Sequence, residues 1–341
     1  MPAAGRQRVA AIDCGTNSLR LLIADIDVAR GELDDLHRRM EIVRLGQGVD
    51  ATGKLAPEAL ARTFAMLEEY ARTISESGAT AVRLVATSAT RDATNAGEFT
   101  IGVRRILGVE PEVVTGKQEA HLSFSGATAG LGRLSGYIGD HGETPAAPPE
   151  SPFLVVDIGG GSTEFVLGSP GDDAEALDAI SMNIGSVRLT ERYLRDDPPT
   201  AEQIAAATAD IDGALARVAV AIHVGAARTL VGLAGSVTTV AAVALGLPGY
   251  DPVLIHQARL AAARVREVTA ELLGQTRAQR ARNGAIHPGR VDVISAGSLI
   301  LDRVMDRFGF AEVMISEHDI LDGIAWSIVG PPGGRREPNP R

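Results

Sequence analysis

Hydrophobic runs that end near an aspartate and resume after a short polar turn occur twice along the chain. Residues 8–27 contain "RVAAID", "CGTNS" and "LRLLIADI", and residues 153–168 contain "FLVVD", "IGGGS" and "TEFVLG". Runs rich in Val, Ile and Leu that are bounded by Gly, Asn and Ser are typical of strands joined by a tight turn. The pattern therefore predicts a strand–turn–strand unit at each place.

Apolar residues at helical spacing follow each of these units. They predict a helix over 57–76 after the first unit and a helix over 201–223 after the second. Between them, "AVRLVAT" at 81–87 is typical of a buried strand, and 92–107 of a shorter helix. This alternation predicts an α/β protein with two similar lobes, each with a mixed sheet flanked by helices, and a cleft between them.

The repeat also predicts the domain boundaries. We expect a first lobe over 1–130 and a second lobe over 153–316, separated by an exposed insertion at 131–152 that is rich in Pro and Gly. A helix over 317–330 is expected to complete the first lobe. Residues 331–341 have the composition of a flexible tail.

Glycine-rich turns with the spacing Asp-x-Gly-x-x-Ser follow the first strand of both units. The matched pairs, each 144 positions apart, are Asp13 and Asp157, Gly15 and Gly159, and Ser18 and Ser162. Bare glycine backbone lets an anion approach several N–H groups at once, as a phosphate-binding nest requires. One such turn alone suits a plain tight hairpin equally well, but the duplication favours phosphate binding.

A third glycine turn, in "GLAGSVTT", opens a helix, and a helix N-terminus favours a phosphate or a nucleotide. No Gly-x4-Gly-Lys-Ser/Thr sequence occurs, which argues against a P-loop fold. The expected phosphate-binding residues are Asp13, Gly15, Thr16, Asn17, Ser18, Gly159, Gly160, Gly161, Ser162, Thr163, Gly235 and Ser236.

Six segments occur together in an order that resembles one family. They are "AIDCGTNSLRLLIADI", "ATSATRDATN", "TGKQEAHLSFSGA", "VVDIGGGSTEF", "GLAGSVTT" and "HPGRVDVISAG". The chain resembles the exopolyphosphatase and guanosine pentaphosphate phosphohydrolase (Ppx/GppA) family, of the superfamily of actin, sugar kinases and chaperone ATPases. This resemblance implies two ribonuclease H-like, actin-like ATPase lobes. One departure is Asp322, in "HDILDGI", where family members usually carry arginine, so no role is assigned to that position.

Glu119 and Arg91 are the expected catalytic residues. An acid such as Glu119 at the start of a helix can simply complement the helix dipole. Its place in "TGKQEAHLSFSGA", however, matches the family's proposed general base, which implies that it orients the attacking water. For Arg91, in "ATSATR", the resemblance implies phosphate binding at the cleft, and an arginine on a helix surface is the alternative.

Asp157 and Glu164 are the expected metal ligands. Asp157 stands where a strand ends, and Mg²⁺ takes one or two carboxylates in addition to waters and substrate phosphates. The alternatives are an Asx turn for Asp157 and an outward strand position for Glu164. The expected cofactor is Mg²⁺, with Mn²⁺ as the alternative.

The sequence allows two interpretations of Arg20 and of His287. Arg20 either contributes to the site or points from its strand to solvent, and His287 either contributes to the site or supports a turn. Cys14 suits a small packed residue better than a nucleophile. Arg188 and Arg290 are candidates for a local positive track in an acidic chain.

Composition narrows the class of partners. A formal net charge of −10 over 341 residues argues against a general nucleic-acid or membrane binder, and neither is an expected partner. One cysteine excludes an intramolecular disulfide, and no signal-peptide core precedes the first strand. A cytoplasmic protein is therefore expected.

Together with the resemblance, these observations predict a metal-dependent hydrolase that removes terminal phosphate from inorganic polyphosphate, with Glu119 holding the water. Hydrolysis of the 5′-phosphate of guanosine pentaphosphate (pppGpp) on the same groups is the close alternative. A non-enzymatic, actin-like nucleotide switch is a more distant one. The resemblance further implies a homodimer.

Overall fold

The structure is a computed structural model that describes four stretches of the chain, namely 5–129, 131, 148–172 and 175–330. Most of the expected insertion and the whole expected tail lie outside the described residues. The described chain divides into two compact units. The first runs up to Thr115 and resumes from Ile320, and the second is Gly116–Asp319.

The elements are numbered in chain order. Up to Thr115 the strands are β1 (Gln7–Cys14), β2 (Ser18–Asp27), β3 (Glu32–Ile42), β4 (Ala81–Ala86) and β5 (Glu112–Val113). The helices of this stretch are α1 (Val49–Thr52), α2 (Pro57–Ser77), α3 (Ser88–Asp92) and α4 (Ala96–Leu107).

The second unit contains the following elements. Its strands are β6 (Phe153–Ile158), β7 (Thr163–Gly168), β8 (Asp178–Met182), β9 (Thr229–Leu233), β10 (Arg259–Ala261) and β11 (Glu312–Ile315). Its helices are α5 (Gly116–Thr128), α6 (Ser186–Arg192), α7 (Ala201–Ala221), α8 (Ala234–Ala244), α9 (Pro252–Ile255), α10 (Ala262–Gly274), α11 (Arg277–Arg280) and α12 (Ile294–Phe308). The C-terminal helix α13 (Ile320–Val329) returns to the first unit.

Each unit has one mixed sheet, and the two sheets share a plan. The strand order is β3-β2-β1-β4-β5 in the first unit and β10-β11-β9-β6-β7-β8 in the second. β1, β2 and β3 form an antiparallel meander, and β4 and β5 continue parallel to β1. In the second unit β6, β7 and β8 form the meander, and β9 and β11 continue parallel to β6. Two mixed sheets flanked by helices confirm the expected α/β fold class.

The third strand of each meander, β3 or β8, was not predicted from the sequence. β3 has the sequence "ELDDLHRRMEI" and its central residues are exposed, so it has no alternation of apolar and polar positions to detect. Its pairing with the buried strand β2 decides its conformation. β8 is short and begins on an exposed aspartate.

The two faces of the second sheet are covered by different helices. Alternate residues of β6, including Leu154, Val156 and Ile158, pack in one core cluster with residues of α7, α8 and α12. Phe153 and Val155 pack in another cluster with apolar residues of α5. Because side chains alternate along a strand, Asp157, which follows Val156 in β6, faces α5.

Packing of α5 on this sheet explains why the units divide at Thr115, ahead of the boundary that the sequence suggested near residue 130. In the first unit, α2 and α4 pack on one face of the sheet, and α13 packs against β1, β2 and β4. No helix in the described ranges has the length and apolarity needed to cross a membrane.

Candidate functional site

The two repeated turns have the same internal hydrogen bond. The Gly15 N–H donates to the Ser18 carbonyl at 3.0 Å, and the Gly159 N–H donates to the Ser162 carbonyl at 3.0 Å. A Cβ atom added at Gly159 would lie 3.0 Å from that Ser162 carbonyl oxygen, closer than nearly all Cβ contacts. The glycine at this position therefore permits a close approach within the turn.

In the second turn the carbonyl groups are bound by the start of α6. The bonds are Ser186 N–H to Gly159 (2.9 Å), Val187 N–H to Gly160 (2.9 Å) and Arg188 Nε to Gly161 (2.7 Å). Within the described part of the chain, the N–H groups of Gly160 and Gly161 have no hydrogen-bond partner. In a trans peptide the C=O and the next N–H point in opposite directions. The turn therefore directs its amides away from α6, as an anion-binding nest requires.

Gly185 allows α6 to approach the turn this closely. A Cβ atom there would overlap the Gly160 carbonyl oxygen and lie 2.6 Å from the Gly161 carbonyl carbon. Since both neighbours are backbone atoms, no side-chain rotation can relieve the overlap. The sequence analysis missed Gly185 as a residue that supports the candidate site, because its role depends on contact with a turn that lies far from it in sequence.

The first turn is held from its carbonyl side in a similar way. The carbonyl of Thr16 accepts from the Gly46 N–H at 2.8 Å, and that of Asn17 accepts from the Val43 N–H at 3.1 Å. The Thr16 hydroxyl lies 2.9 Å from the Ser88 hydroxyl at the start of α3. In both units, the segment that follows the third strand of the meander, β3 or β8, donates hydrogen bonds to the carbonyl groups of the turn.

The carboxylates of the second turn lie side by side. Asp157 on β6 is directly opposite Glu164 on β7, so both side chains project from the face that α5 covers. Asp157 is 6% exposed and Glu164 is 1% exposed. The Ser123 hydroxyl donates to Asp157 Oδ2 at 2.6 Å, and the Ser181 hydroxyl donates to Glu164 Oε1 at 2.7 Å.

The equivalent pair in the first turn is an ion pair. Asp13 on β1 lies opposite Arg20 on β2, and its Oδ2 accepts from Arg20 Nε at 2.9 Å and Nη2 at 2.7 Å. Only 16% of the Arg20 side chain is exposed. Arg20 therefore contacts the turn, and the alternative of a solvent-facing strand arginine is wrong.

Glu119 is buried in the first turn of α5. Ser123 lies four residues later, on the same side of the helix, and contacts Asp157. At the start of the helix, a Cβ atom added to Gly116 would lie 2.8 Å from the Ser181 hydroxyl oxygen, which itself binds Glu164. The helix therefore sets Glu119 on the sheet face that carries both Asp157 and Glu164.

Two buried carboxylates that lie side by side offer the hard oxygen ligands that a divalent cation such as Mg²⁺ takes. The donor set of this pair is therefore compatible with a divalent cation. No group of three or more His, Cys, Asp or Glu side chains in the described ranges is arranged to hold a metal. A metal at Asp157 and Glu164 thus requires further oxygen ligands from water or phosphate, as Mg²⁺ usually takes.

The third glycine turn is closely packed by other side chains of its own unit. The Arg290 guanidinium occupies the space that a Cβ atom of Gly235 would fill, and its Nη1 lies 3.5 Å from Thr239 Oγ1. The Ser236 side chain packs on the backbone of Gly297 in α12. Ala234 has a φ of 65°, a left-handed conformation rare for alanine.

Several expected site residues make internal contacts. Arg91 Nη1 donates to the Val114 carbonyl at 2.9 Å, and the Thr163 hydroxyl donates to the Ile184 carbonyl at 2.6 Å, so its single proton is not directed at a ligand. His287 Nδ1 accepts from the Gly289 N–H at 3.1 Å, which supports a turn.

Burial changes the pKa of three groups near these turns. It raises the pKa of the Cys14 thiol, and the Asp13 carboxylate raises it further, so Cys14 is a packed thiol rather than a nucleophile. Burial and then Glu317 raise the pKa of the Tyr250 hydroxyl, which donates to Glu317 Oε1 at 2.6 Å. Burial and then Lys117 lower the pKa of His121 on α5.

Comparisons with known proteins match nearly the whole chain. The sequence model of the Ppx/GppA phosphatase family matches residues 22–330. Exopolyphosphatase 2 of Mycobacterium tuberculosis is 46% identical over 334 residues, which cover 95% of this chain and 99% of that protein. A solved exopolyphosphatase-like protein is 42% identical with a TM-score of 0.86, covering 95% of this chain and 98% of its own. A solved Ppx/GppA protein of Aquifex aeolicus is 31% identical with a TM-score of 0.76, at 95% and 98% coverage.

Proposed function

Because the chain belongs to the Ppx/GppA phosphatase family, we propose that it is an exopolyphosphatase, which hydrolyses the terminal phosphoanhydride bond of inorganic polyphosphate. The relative with 46% identity over nearly the full length of both chains is named as an exopolyphosphatase, which supports this substrate. The alternatives of pppGpp hydrolysis and of a non-enzymatic nucleotide switch have no such support among these relatives.

The observation that carries this proposal is the arrangement of Glu119, Asp157 and the glycine turn in one unit. Ser123 connects the helix of Glu119 to Asp157, and the turn after Asp157 directs the amides of Gly160 and Gly161 away from its supporting helix. A polyphosphate terminus needs donors for its oxygens and a base near its last phosphorus. This unit supplies both kinds of group.

Asp157 and Glu164 are the proposed ligands of Mg²⁺, with Mn²⁺ as the alternative ion. Their burial and direct opposition favour a cation between them. Bound there, the ion would neutralise charge on the phosphate oxygens. The Ser123 and Ser181 hydroxyls fix the two carboxylates by donating to the oxygens Oδ2 and Oε1.

In the proposed mechanism Glu119 accepts a hydrogen bond from the attacking water and orients it in line with the scissile P–O bond. The carboxylate then accepts the water's proton as the new P–O bond forms and the shortened polyphosphate leaves. Backbone amides of Gly160 and Gly161 bind the phosphate oxygens. Arg91 is proposed as a further phosphate ligand, because a guanidinium matches the geometry of a phosphate.

The decisive substitution is Glu119→Gln, which keeps the shape of the side chain but removes the base. We expect kcat for phosphate release from polyphosphate to fall by about 10²–10⁴-fold, the usual contribution of a general base, with thermal unfolding unchanged. Phosphate release measured under saturating Mg²⁺ checks this result. Glu202→Gln is the matched control, because Glu202 also lies in the first turn of a helix of this unit, α7, but is exposed.

Substrate class is tested on the unsubstituted protein. We expect a higher kcat/KM for long-chain polyphosphate than for pppGpp or GTP in parallel phosphate-release assays. A preference for pppGpp would contradict the proposed substrate, and wild-type kcat in folded Glu119→Gln would contradict the proposed base. A homodimer and a cytoplasmic location are further proposals, and light scattering of the purified protein tests the first.

A further inference from the structure

The three glycine carbonyls of the second turn are supported by different kinds of donor. Backbone N–H groups at the start of α6 bind two of them, the carbonyls of Gly159 and Gly160. The third carbonyl, that of Gly161, accepts from a side chain, Arg188 Nε, at 2.7 Å. The support of this third carbonyl therefore depends on which residue stands at position 188.

The matching carbonyl of the first turn is held by the backbone. The carbonyl of Asn17 accepts from the N–H groups of Val43 at 3.1 Å and of Arg44 at 2.9 Å. Backbone donors of this kind are present whichever side chains follow β3. Among the described residues, Gly161 has no backbone donor to its carbonyl, and Arg188 takes that place.

The peptide that joins Gly161 to Ser162 is held on its carbonyl side by this arginine. In a trans peptide the N–H and the preceding carbonyl point in opposite directions, so the Ser162 N–H points away from Arg188. Within the part of the chain that the structure describes, this N–H has no hydrogen-bond partner. It is therefore a third amide of the nest, in addition to those of Gly160 and Gly161.

The charge of Arg188 strengthens the opposite end of the same peptide as a donor. Hydrogen bonds in a chain polarise one another, and a bond with an ionised donor is about twice as strong as a neutral one. Arg188 is partly buried, and salt screens a partly buried charge less than an exposed one. The guanidinium thus makes the Ser162 N–H a better donor to an anion and adds positive charge behind the turn.

We propose that Arg188 is a positioning residue for the substrate, because it orients the peptide whose Ser162 N–H binds an oxygen of the terminal phosphate. This inference rests on the proposed function, in which the same turn binds polyphosphate. Arg188 acts through the peptide and not on the reacting atoms. Since the phosphate is charged both before and during the reaction, its contribution affects KM rather than kcat.

The experiment compares Arg188→Met and Arg188→Lys with the unsubstituted chain in polyphosphate hydrolysis. Calorimetric titration with tripolyphosphate, with Glu119→Gln added to stop turnover, measures Kd directly, and circular dichroism verifies folding. Arg188→Met loses both the donor and the charge, so we expect KM and Kd to rise about tenfold with kcat changed less than about twofold. Arg188→Lys keeps the charge and should recover most of this loss.

Arg192→Met is the matched control. Arg192 lies on the same helix, α6, but its Nη1 donates to Asp210 Oδ2 on α7 at 3.3 Å, so KM and Kd should stay within about twofold of the unsubstituted values. Added KCl separates a charge effect from a structural one. It should raise Kd more steeply for the unsubstituted chain and for Arg188→Lys than for Arg188→Met.

Unchanged KM and Kd in folded Arg188→Met, or an equal loss in Arg192→Met, overturns the inference. Arg188→Gln, which keeps a neutral donor, replaces Arg188→Met if the latter does not fold, and the salt dependence of the unsubstituted chain in this variant also overturns it. Tripolyphosphate binding that depends on Arg188, in a chain that does not hydrolyse polyphosphate, overturns the proposed function alone. No tripolyphosphate binding by the chain with Arg188 intact overturns both.

Discussion

A single hydroxyl group connects the helix of the proposed base to a proposed metal ligand. Ser123 is fully buried, and its hydroxyl donates to Asp157 Oδ2 at 2.6 Å, one helical turn after Glu119. Hydrogen bonds to charged groups contribute about 1.5–3 kcal/mol, and groups that hold a metal ligand change metal affinity about 10–100-fold. We therefore expect this side chain to affect both the stability of the protein and the affinity of the proposed metal site.

We predict that Ser123→Ala lowers the free energy of unfolding by about 1–3 kcal/mol and weakens Mn²⁺ binding at least tenfold, because Asp157 loses its donor. Urea denaturation and Mn²⁺ titration measure the two effects. Ser125→Ala is the control, since Ser125 is exposed on the same helix, and a change below about 0.5 kcal/mol is expected there. Equal effects of the two substitutions would show that the bond to Asp157 contributes nothing.

At the residue scale, the sequence identified the acids but not their partners. The spacing of "TGKQEAHLSFSGA" places Glu119 and Ser123 on one helix face, and the structure finds both buried. Ser181 could not be found in this way, because its bond to Glu164 depends on the register of β7 and β8. Arg20, in contrast, could have been identified from the repeat, because it occupies the position in the first unit that Glu164 occupies in the second.

At the scale of elements, a short helix determines the conformation of the second turn. The first N–H groups of a helix have no partner inside the helix. In α6 these groups donate to the carbonyls of Gly159 and Gly160, and Gly185 permits the close approach. The proposed phosphate-binding amides are thus oriented by α6, which is separated from the turn in sequence by β7 and β8.

We predict that Gly185→Ala destabilises the protein by about 1–3 kcal/mol and raises KM for polyphosphate, because the added methyl group overlaps the backbone of Gly160 and displaces the turn. Gly213→Ala is the control. Gly213 lies inside α7 with open space around it, so alanine there should stabilise the protein by about 0.5–1 kcal/mol. An unchanged KM for Gly185→Ala would contradict the proposed role of this turn.

At the scale of the whole molecule, the chain leaves the first unit at Thr115 and returns to it with α13. Asp322 lies in this helix and is 2% exposed. Its carboxylate accepts from Arg38 Nη2 at 2.6 Å and from Nη1 at 3.2 Å. These bonds join the C-terminal helix to the edge strand β3, which is far from it in sequence.

We predict that Arg38→Ala lowers the free energy of unfolding of the first unit by about 3 kcal/mol, because it leaves the buried Asp322 carboxylate without this cation. Trp326, the only tryptophan of the chain, is buried in α13 and reports this unfolding by fluorescence. Arg39→Ala is the control, since Arg39 and its partners Glu41 and Glu69 are all more than a third exposed and its ion pairs should contribute less than about 1 kcal/mol. Equal losses for the two variants would contradict a fastening role for Asp322.

The sequence by itself determined the features that local chemistry encodes. The duplicated strand–turn–strand units, helices α2 and α7, the α/β class and the family follow from periodicity, glycine spacing and motifs, because these depend on neighbouring residues. Only the tertiary structure decided the partners: Arg20 with Asp13, Ser123 with Asp157, Asp322 with Arg38, and α6 with the second turn. These contacts join residues from different elements, and strand register and helix packing bring them together.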